Sequence, residues 1–210
     1  MPVKHEWRKK EKSLYLPKTQ PEVIDIPKLN YITIHGEGSP AGEAFTNCIG
    51  TLYSLAYAIK MLPKKTDEKP TGYFDFTVYP LEGVWDINEK AKESYSGEIK
   101  KEDLIYKLMI RQPDFVELPF FKEILNYVKN KKPNPLLNQV NFETILEGKC
   151  VQMLHLGRFE DEPISFEKME AFAKDQGLNR LSKVHKEIYL SDTRKVAPEK
   201  LKTVLRFRVS

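Results

Sequence analysis

The chain has 210 residues, with 34 basic and 30 acidic side chains and a formal net charge of +4. Apolar residues make up 40% and aromatic residues 11%, a composition that fits a folded globular protein and argues against a disordered one. The small basic excess is spread along the chain and does not predict direct nucleic-acid binding. No apolar run reaches the roughly 18–20 residues that span a bilayer, and the charged N-terminus lacks the apolar region of a signal peptide. We therefore expect a cytoplasmic protein with reduced cysteines at Cys48 and Cys150 and no membrane partner.

Strands and one long helix are predicted in the first part of the chain. Residues 1–20 are a basic lead-in that we expect on the surface or as an edge strand. Residues 22–38 alternate and are rich in β-branched side chains, which predicts a strand. Apolar residues at helical spacing predict a helix over 43–60. Further strands are predicted at 73–80 and 103–111, and 81–87 is predicted to be a turn with a short strand.

The second part of the chain repeats this kind of pattern. Residues 120–132 form an amphipathic helix whose basic end suits the negative end of the helix dipole. Residues 140–157 are predicted to be mostly strand. Ser165 is expected to cap a helix that ends at Gly177. The last two strands are predicted at 185–192 and 203–209.

A faint internal repeat links the two parts. YITIHGEG resembles VQMLHLGR, FTVYPLE resembles KEIYLSD, and LMIRQPDFV resembles TVLRFRV. The pairs keep the same order, and they are His35 with His155, Tyr79 with Tyr189, and Arg111 with Arg206. This predicts an α+β fold of two pseudo-symmetric strand–helix–strand–strand modules around a central ligand cleft. Within a single domain over 21–210, the modules cover about 21–116 and 140–210, with an inserted helix at about 119–132.

Glu187 is the most informative single residue. Side chains alternate across a strand, so Glu187 and Tyr189 share one side while Ile188 lies on the other. The repeat aligns Glu187 with Thr77, so symmetry does not explain the carboxylate. Three interpretations stay open: a solvated strand face, a general acid or base whose pKa an apolar cleft raises, and a counter-charge for a lipophilic cation between aromatic walls.

Other candidates have weaker patterns. Trp85 either forms a wall on which a ligand stacks or packs in the core or at its rim. Tyr53 and Tyr57 lie four apart on one helix face and either line a pocket or pack. His35 and His155 lack neighbours at zinc-like spacing, so structural hydrogen bonds are favoured and no metal is predicted. The glycine-rich HGEGSPAG lacks the Lys-Ser/Thr ending of a phosphate loop, and no cofactor is expected.

Several segments together resemble the stand-alone GyrI-like small-molecule-binding proteins. They are YPLEGVW, MIRQPDFV, EGKCVQMLHLG, DEPISFEKM and HKEIYLSDTRKVAPEKLKTVLR, and the resemblance runs from about residue 10 to the end. It implies a pseudo-two-fold cleft that binds bulky, often cationic or aromatic compounds. The chain is also similar to a cyclopropanoid cyclopropyl hydrolase subgroup, which opens the strained cyclopropane of DNA-alkylating natural products.

The resemblance implies site residues. Glu187 matches the cleft glutamate and Trp85 the aromatic wall, and Tyr189 would support them, as would Tyr79. Beyond what the resemblance implies, we also predict ligand contacts at Tyr53, Tyr57, Tyr106, His155 and Met153. The chain departs from the usual family pattern at Asp86, where a second Trp is common, at Lys186, where a His is common, and at Tyr106, where a Trp is common.

The leading prediction is therefore cytosolic binding of a hydrophobic, aromatic or cationic small molecule in an aromatic cleft with a central glutamate. A first alternative is a cofactor-free hydrolase that acts in detoxification, with Glu187 and Tyr189 as its catalytic residues. A second is a ligand-sensing regulatory protein that also binds a protein partner. A homodimer is compatible with all three.

Overall fold

The computed structural model of the chain describes residues 4–94 and 99–210. The α-helices are α1 (Trp7–Lys10), α2 (Lys12–Tyr15), α3 (Glu43–Met61), α4 (Glu89–Glu93), α5 (Leu118–Lys131) and α6 (Glu162–Asp175). The strands are β1 (Glu22–Glu37), β2 (Leu81–Ile87), β3 (Leu104–Gln112), β4 (Asn141–Leu156), β5 (His185–Tyr189) and β6 (Lys202–Arg208). This mixture of helices and strands confirms the α+β class. The chain divides into two compact units.

The first unit comprises the described parts of 1–6, 29–79 and 87–145. Here β1 pairs antiparallel with β3, from Asn30 opposite Gln112 to Glu37 opposite Ile105. The helix α3 packs on β3 and α5. Its buried side chains recur every three or four residues, as one apolar helix face requires, and they are Phe45, Cys48, Thr51, Leu52, Leu55, Ala56 and Ile59. The predicted helices at 43–60 and 120–132 and the predicted strand at 103–111 are confirmed.

The strand predicted at 73–80 is wrong. Apart from a single parallel bridge between Phe76 and His5, this segment is irregular. Its aromatic side chains serve as core packing instead: the rings of Phe74 and Phe76 meet the edge of Phe115 at centroid distances of 5.3 and 6.0 Å. Thr77, the expected counterpart of Glu187, therefore lies outside any strand.

The second unit comprises Trp7–Lys28, Pro80–Asp86 and Leu146–Ser210. Its sheet places β5 between β2 and β6, and β6 also pairs with β4, all antiparallel. The helix α6 contributes Met169 and Ala173 to an apolar cluster with β4 and β6. The other buried members of this cluster are Val151, Met153, Leu205, Phe207 and Val209. The strands predicted at 140–157, 185–192 and 203–209 are confirmed within a few residues at their ends.

Residues 7–28 of the second unit, which we call the N-terminal arm, contain two short helices, so the edge strand expected as one option for 1–20 is wrong. Most side chains at 4–20 are exposed or half-buried, as expected for a surface segment, but two aromatic side chains are buried. Trp7 and Tyr15 are 4% and 2% exposed, and their rings are in contact. The carbonyl oxygen of Leu14 accepts a hydrogen bond from the Arg206 guanidinium at 2.8 Å.

The helix α6 begins earlier than the sequence predicts. It starts at Glu162 and ends before Gly177, whose φ of 68° lies in the left-handed region that favours glycine. Ser165 is therefore inside the helix and is not its cap. Its hydroxyl instead meets His155 Nδ1 at 2.9 Å, and His155 Nε2 lies 2.8 Å from the carbonyl oxygen of Arg158. His155 thus has the structural hydrogen bonds that the sequence favoured.

Candidate functional site

One face of the β2–β5 pair carries the candidate site. The register places Trp85 opposite His185 and Gly83 opposite Glu187. Residues directly opposite each other, and residues two apart on one strand, point to the same side of a sheet. Trp85, His185, Glu187 and Tyr189 therefore share one face, as alternation predicted for Glu187 and Tyr189. Trp85 lies within β2, where the sequence suggested only a turn with a short strand.

A chain of hydrogen bonds fixes the Glu187 carboxylate. The indole N–H of Trp85 donates to Tyr189 Oη at 2.8 Å, and the Tyr189 hydroxyl donates to Glu187 Oε2 at 2.8 Å. The other oxygen, Oε1, lies 3.1 Å from His185 Nε2. Glu187 is 9% exposed, which contradicts the solvated strand face. A buried carboxyl group that is hydrogen-bonded at both oxygens has a fixed orientation.

Glu162 joins this group from the first turn of α6. Its side chain hydrogen-bonds with Glu187, and burial together with the nearby Glu187 charge raises the pKa of Glu162 to about 10. Glu162 is 6% exposed, and its Oε1 has no hydrogen-bond donor among the described residues. Local sequence patterns do not indicate this role, because it depends on bringing a helix start close to a strand 25 positions later.

Tyr189 is held in its neutral form. Burial and the neighbouring Glu187 charge raise the pKa of Tyr189 well above its ordinary value. A phenol beside a carboxylate is more stable protonated, because its O–H can then donate and a second negative charge is avoided. Tyr189 therefore acts as a hydrogen-bond donor to Glu187 over the physiological pH range.

Aromatic rings contact the two side chains that hold the carboxylate. Phe159 meets Tyr189 edge-on at a centroid distance of 6.1 Å, and Phe166 of α6 meets His185 edge-on at 4.7 Å. Phe159 is 38% exposed, so this ring offers apolar surface to an incoming molecule. Rings present a negative π face to cations, and together with Glu187 they suit a ligand that is apolar and positively charged.

The opposite face of β5 carries a separate ionic network. Lys186 is buried and pairs with Glu82 at 2.9 Å and with Glu147 at 2.5 Å. Arg206 lies 3.7 Å from Glu147 and hydrogen-bonds to Gln152 Oε1 at 2.7 Å. Burial alone would disfavour the charges, but the paired carboxylates raise the pKa of Lys186, and the two cations lower the pKa of Glu147. The two cations and the two carboxylates neutralise each other on the face of β5 opposite the candidate site.

The remaining predicted contacts in the first unit occupy different places. The Tyr79 ring lies under the Arg111 guanidinium at 4.7 Å. The Tyr53 and Tyr57 rings are 6.2 Å apart on α3, and Tyr57 is largely exposed. Tyr106 packs edge-on against Phe45 and lines a cavity of about 560 Å³. Their contact with a ligand stays a prediction.

Cys48 and Tyr106 lie together at that cavity. Burial raises the pKa of the Cys48 thiol and raises the pKa of Tyr106 to about 12, so neither group ionises readily. In the second unit, Met153 lies in the apolar cluster under α6. Within residues 4–94 and 99–210, no group of three or more His, Cys, Asp or Glu side chains is arranged to hold a metal ion.

Comparison with known proteins identifies the class. The GyrI-like small molecule binding domain matches residues 19–210, and the chain belongs to this family. It is similar to a hydrolase from Listeria innocua, with 36% identity over 99% of this chain and 100% of that chain and a TM-score of 0.87. A second structure of a hydrolase from the same organism has 37% identity, the same coverage and a TM-score of 0.88.

More distant likeness is confined to the fold. The match with the C-terminal domain of EcmrR covers 91% of this chain and 97% of that domain, with a TM-score of 0.55 and 13% identity. No curated protein matches the chain. In the described part of the chain, every helix is too short or too polar to cross a membrane.

Proposed function

We propose that the protein binds bulky, hydrophobic aromatic cations, with Glu187 as the counter-charge. The family supports small-molecule binding in general. The observation that carries the proposal is the buried Glu187 carboxylate, held by Tyr189 and His185 beside the exposed ring of Phe159. Trp85 orients Tyr189 through its indole N–H, and we propose its ring as the aromatic wall of the site.

The test compares two ligands of similar shape and different charge. Methyltriphenylphosphonium is a bulky aromatic monocation, and triphenylphosphine oxide is a neutral counterpart. Calorimetric titration of the wild type should show tighter binding of the cation. In Glu187→Gln the affinity for the cation should fall about tenfold or more, because a buried charge pair is lost. Binding of the neutral compound should change much less.

Glu167→Gln is the matched control. This glutamate lies on the exposed side of α6, so the substitution removes the same charge from the same unit without entering the site. Its affinities should follow the wild type. Equal affinity for the two ligands in the wild type, or an equal loss in both variants, would refute the counter-charge role.

A hydrolase is the second candidate, because the two Listeria innocua relatives are hydrolases with 36% and 37% identity over 99% of this chain. In this scheme a water oxygen attacks a cyclopropane carbon while Glu187 accepts the proton of that water. The strained C–C bond breaks, and its electron pair passes to a conjugated carbonyl oxygen, which takes a proton from solvent or from a tyrosine. No cofactor enters the balance.

Mass spectrometry in ¹⁸O-labelled water tests this reaction. Repeated turnover of a cyclopropane-bearing alkylating compound should give a product with one labelled oxygen, and Glu187→Gln should abolish it. Intact compound recovered after incubation with the wild type would remove this substrate class and leave binding as the function.

A further inference from the structure

We propose that His185 exchanges a proton for the ligand cation: it pairs with Glu187 as an imidazolium before a ligand arrives and becomes neutral when the cation binds. Binding should then release a proton, and acid should weaken it. This inference rests on the proposed binding function and adds to it the way in which pH regulates the same site.

Both ring nitrogens of His185 face hydrogen-bond acceptors. Nε2 lies 3.1 Å from Glu187 Oε1, and Nδ1 lies 3.4 Å from the carbonyl oxygen of Lys183. A neutral imidazole has a single N–H, so one of these contacts would bring two lone pairs together, whereas an imidazolium donates to both oxygens. The geometry therefore suits a charged His185 that pairs with the Glu187 carboxylate.

The ring of His185 is placed to exchange its proton with water. The His185 side chain is 23% exposed, and that of Glu187 is 12% exposed. Phe166 of α6 meets the ring edge-on at a centroid distance of 4.7 Å and limits its rotation. Histidine is the side chain that ordinarily gains and loses a proton between about pH 5 and 8. The exposed part of the ring can therefore release a proton while the ring keeps its orientation.

The proton on Nδ1 is the one that should leave. Its contact is the longer of the two, and the same carbonyl oxygen of Lys183 also accepts from the Arg180 guanidinium at 2.8 Å. The nearby Arg180 charge opposes a second charge on His185. When the Nδ1–H bond breaks, its electron pair stays on the nitrogen and the proton passes to water. The Nε2–H still donates to Glu187, whose charge is then available to the ligand.

The charged groups before β5 and on α6 should not titrate in this range. Arg180 and Lys183 pair with Glu170 at 2.6 and 2.9 Å. Hydrogen bonds from Lys183 and Arg180 lower the pKa of Glu170, so this carboxylate stays ionised. The three charges around the Lys183 carbonyl are therefore constant, and His185 is the group among them that changes its charge.

Two further titratable groups at the site stay neutral. Burial and the Glu187 charge raise the pKa of Glu162 to about 10 and raise the pKa of Tyr189 well above its ordinary value. Neither group can neutralise a cation or release a proton between pH 5 and 8 in the way that His185 can. A ligand cation therefore competes with the proton of His185 for Glu187.

Calorimetric titration with methyltriphenylphosphonium counts the released protons. Titrations in phosphate and in ACES differ in the heat of buffer ionisation, so a released proton changes the observed heat. At about pH 6.5, within the range in which histidine titrates, the wild type should release up to one proton per cation. Its affinity should rise between about pH 5 and 8, by at most about tenfold per pH unit. Neutral triphenylphosphine oxide should release none.

His185→Gln keeps an N–H donor for Glu187 but carries no charge, so it should release no proton and should lack the rise in affinity. His35→Gln is the matched control, because it makes the same change at an exposed position of β1 in the first unit. It should behave as the wild type. Cation binding by the wild type without proton release, or equal release in His185→Gln, would overturn the inference and leave the proposed function standing. Failure of the wild type to bind the cation at any pH would refute both.

If His185→Gln does not fold, ¹⁵N NMR of the wild type decides the outcome. The His185 ring is identified by its contact with the Phe166 ring. Addition of methyltriphenylphosphonium at about pH 6.5 should shift its nitrogen signals from the imidazolium toward the neutral form with the hydrogen on Nε2. Signals that stay unchanged while the cation binds would overturn the inference.

Discussion

Trp85 in β2 donates its indole N–H to the hydroxyl oxygen of Tyr189 in β5, at 2.8 Å and across 104 positions of the chain. The same hydroxyl donates onward to Glu187. The Tyr189 hydroxyl is therefore both acceptor and donor, and it links the position of the Glu187 carboxylate to that of the large, rigid Trp85 indole. Removing one oxygen atom breaks both links, which makes this tyrosine a sensitive place to test the site.

Tyr189→Phe should destabilise the protein by about 1–3 kcal/mol, because the Trp85 N–H and one Glu187 oxygen lose their partner in a buried setting. Urea unfolding measures the change. Tyr127→Phe is the control, since Tyr127 is 42% exposed and its hydroxyl accepts an exposed hydrogen bond from Lys131. Equal stability of Tyr189→Phe and wild type would show that the relay does not constrain Glu187.

Glu162→Gln should change how stability depends on pH. The folded pKa of Glu162 is raised to about 10 from an ordinary value of 4.5, so its favourable contribution is complete below pH 4.5 and is lost as the pH rises toward 10. Relative to the wild type, the variant should gain stability with rising pH between about 5 and 9. The slope should not exceed about 1.4 kcal/mol per pH unit. A difference that stays constant over this range would mean that Glu162 is not protonated in the folded state.

Lys186→Met should be strongly destabilising, by about 3–5 kcal/mol, because it removes the cation that pairs with the buried Glu82 and Glu147 carboxylates and leaves Glu147 with Arg206 at 3.7 Å. Chemical denaturation measures this loss in the free energy of unfolding. Lys183→Met removes an exposed lysine that pairs with Glu170 on the surface, and it should cost no more than about 1 kcal/mol. Similar losses in the two variants would contradict the enclosed network.

Low pH tests the same network from the acid side. Lys186 and Arg206 hold the pKa of Glu147 below its ordinary value of 4.5 despite burial. The stability that Glu147 contributes is therefore present above pH 4.5 and lost as the pH falls through its lower folded pKa. Acid unfolding of Glu147→Gln should be less steep than that of the wild type. Identical acid transitions would contradict an ionised Glu147.

Gly36→Ala should destabilise the first unit. A Cβ at this position would lie 2.4 Å from the Tyr106 ring, so the ring must move off the backbone that it covers. We expect a cost of about 1–3 kcal/mol. Gly50→Ala is the control: it lies in α3 with open space at the Cβ position, and it should stabilise the helix by up to about 1 kcal/mol. Thermal unfolding should show a lower midpoint temperature for Gly36→Ala and a higher one for Gly50→Ala than for the wild type.

Local pattern predicted most elements and one contact of the site. Alternation in HKEIYLSD placed Glu187 and Tyr189 on one face, and the hydrogen bond between them confirms that prediction. The same reasoning failed at 73–80, because alternating aromatic residues occur both in strands and in irregular segments whose rings pack in the core. Phe74 and Phe76 pack on Phe115, and no local signal distinguishes the two outcomes.

Contacts between distant segments could not be predicted in this way. Local pattern does not single out Glu162 before Pro163, since helices often carry acids in their first turn. Its burial depends on where α6 meets β5, which is a property of the folded unit. Trp7 and Tyr15 were missed for the same reason, because a basic, proline-flanked segment gives no sign that its aromatic side chains are buried.

The N-terminal arm also bears on the order in which the chain can fold. Arg206 holds the carbonyl oxygen of Leu14 across 192 positions, and the carbonyl oxygen of Leu190 accepts from Arg8 across 182. Contacts that close such long loops cost more chain entropy than local contacts, and they form late in folding. Trp7 and Tyr15 therefore stay unburied until the distant partners of the arm are in place. A folding chain passes through a stage in which these aromatic side chains are open to chaperones and proteases.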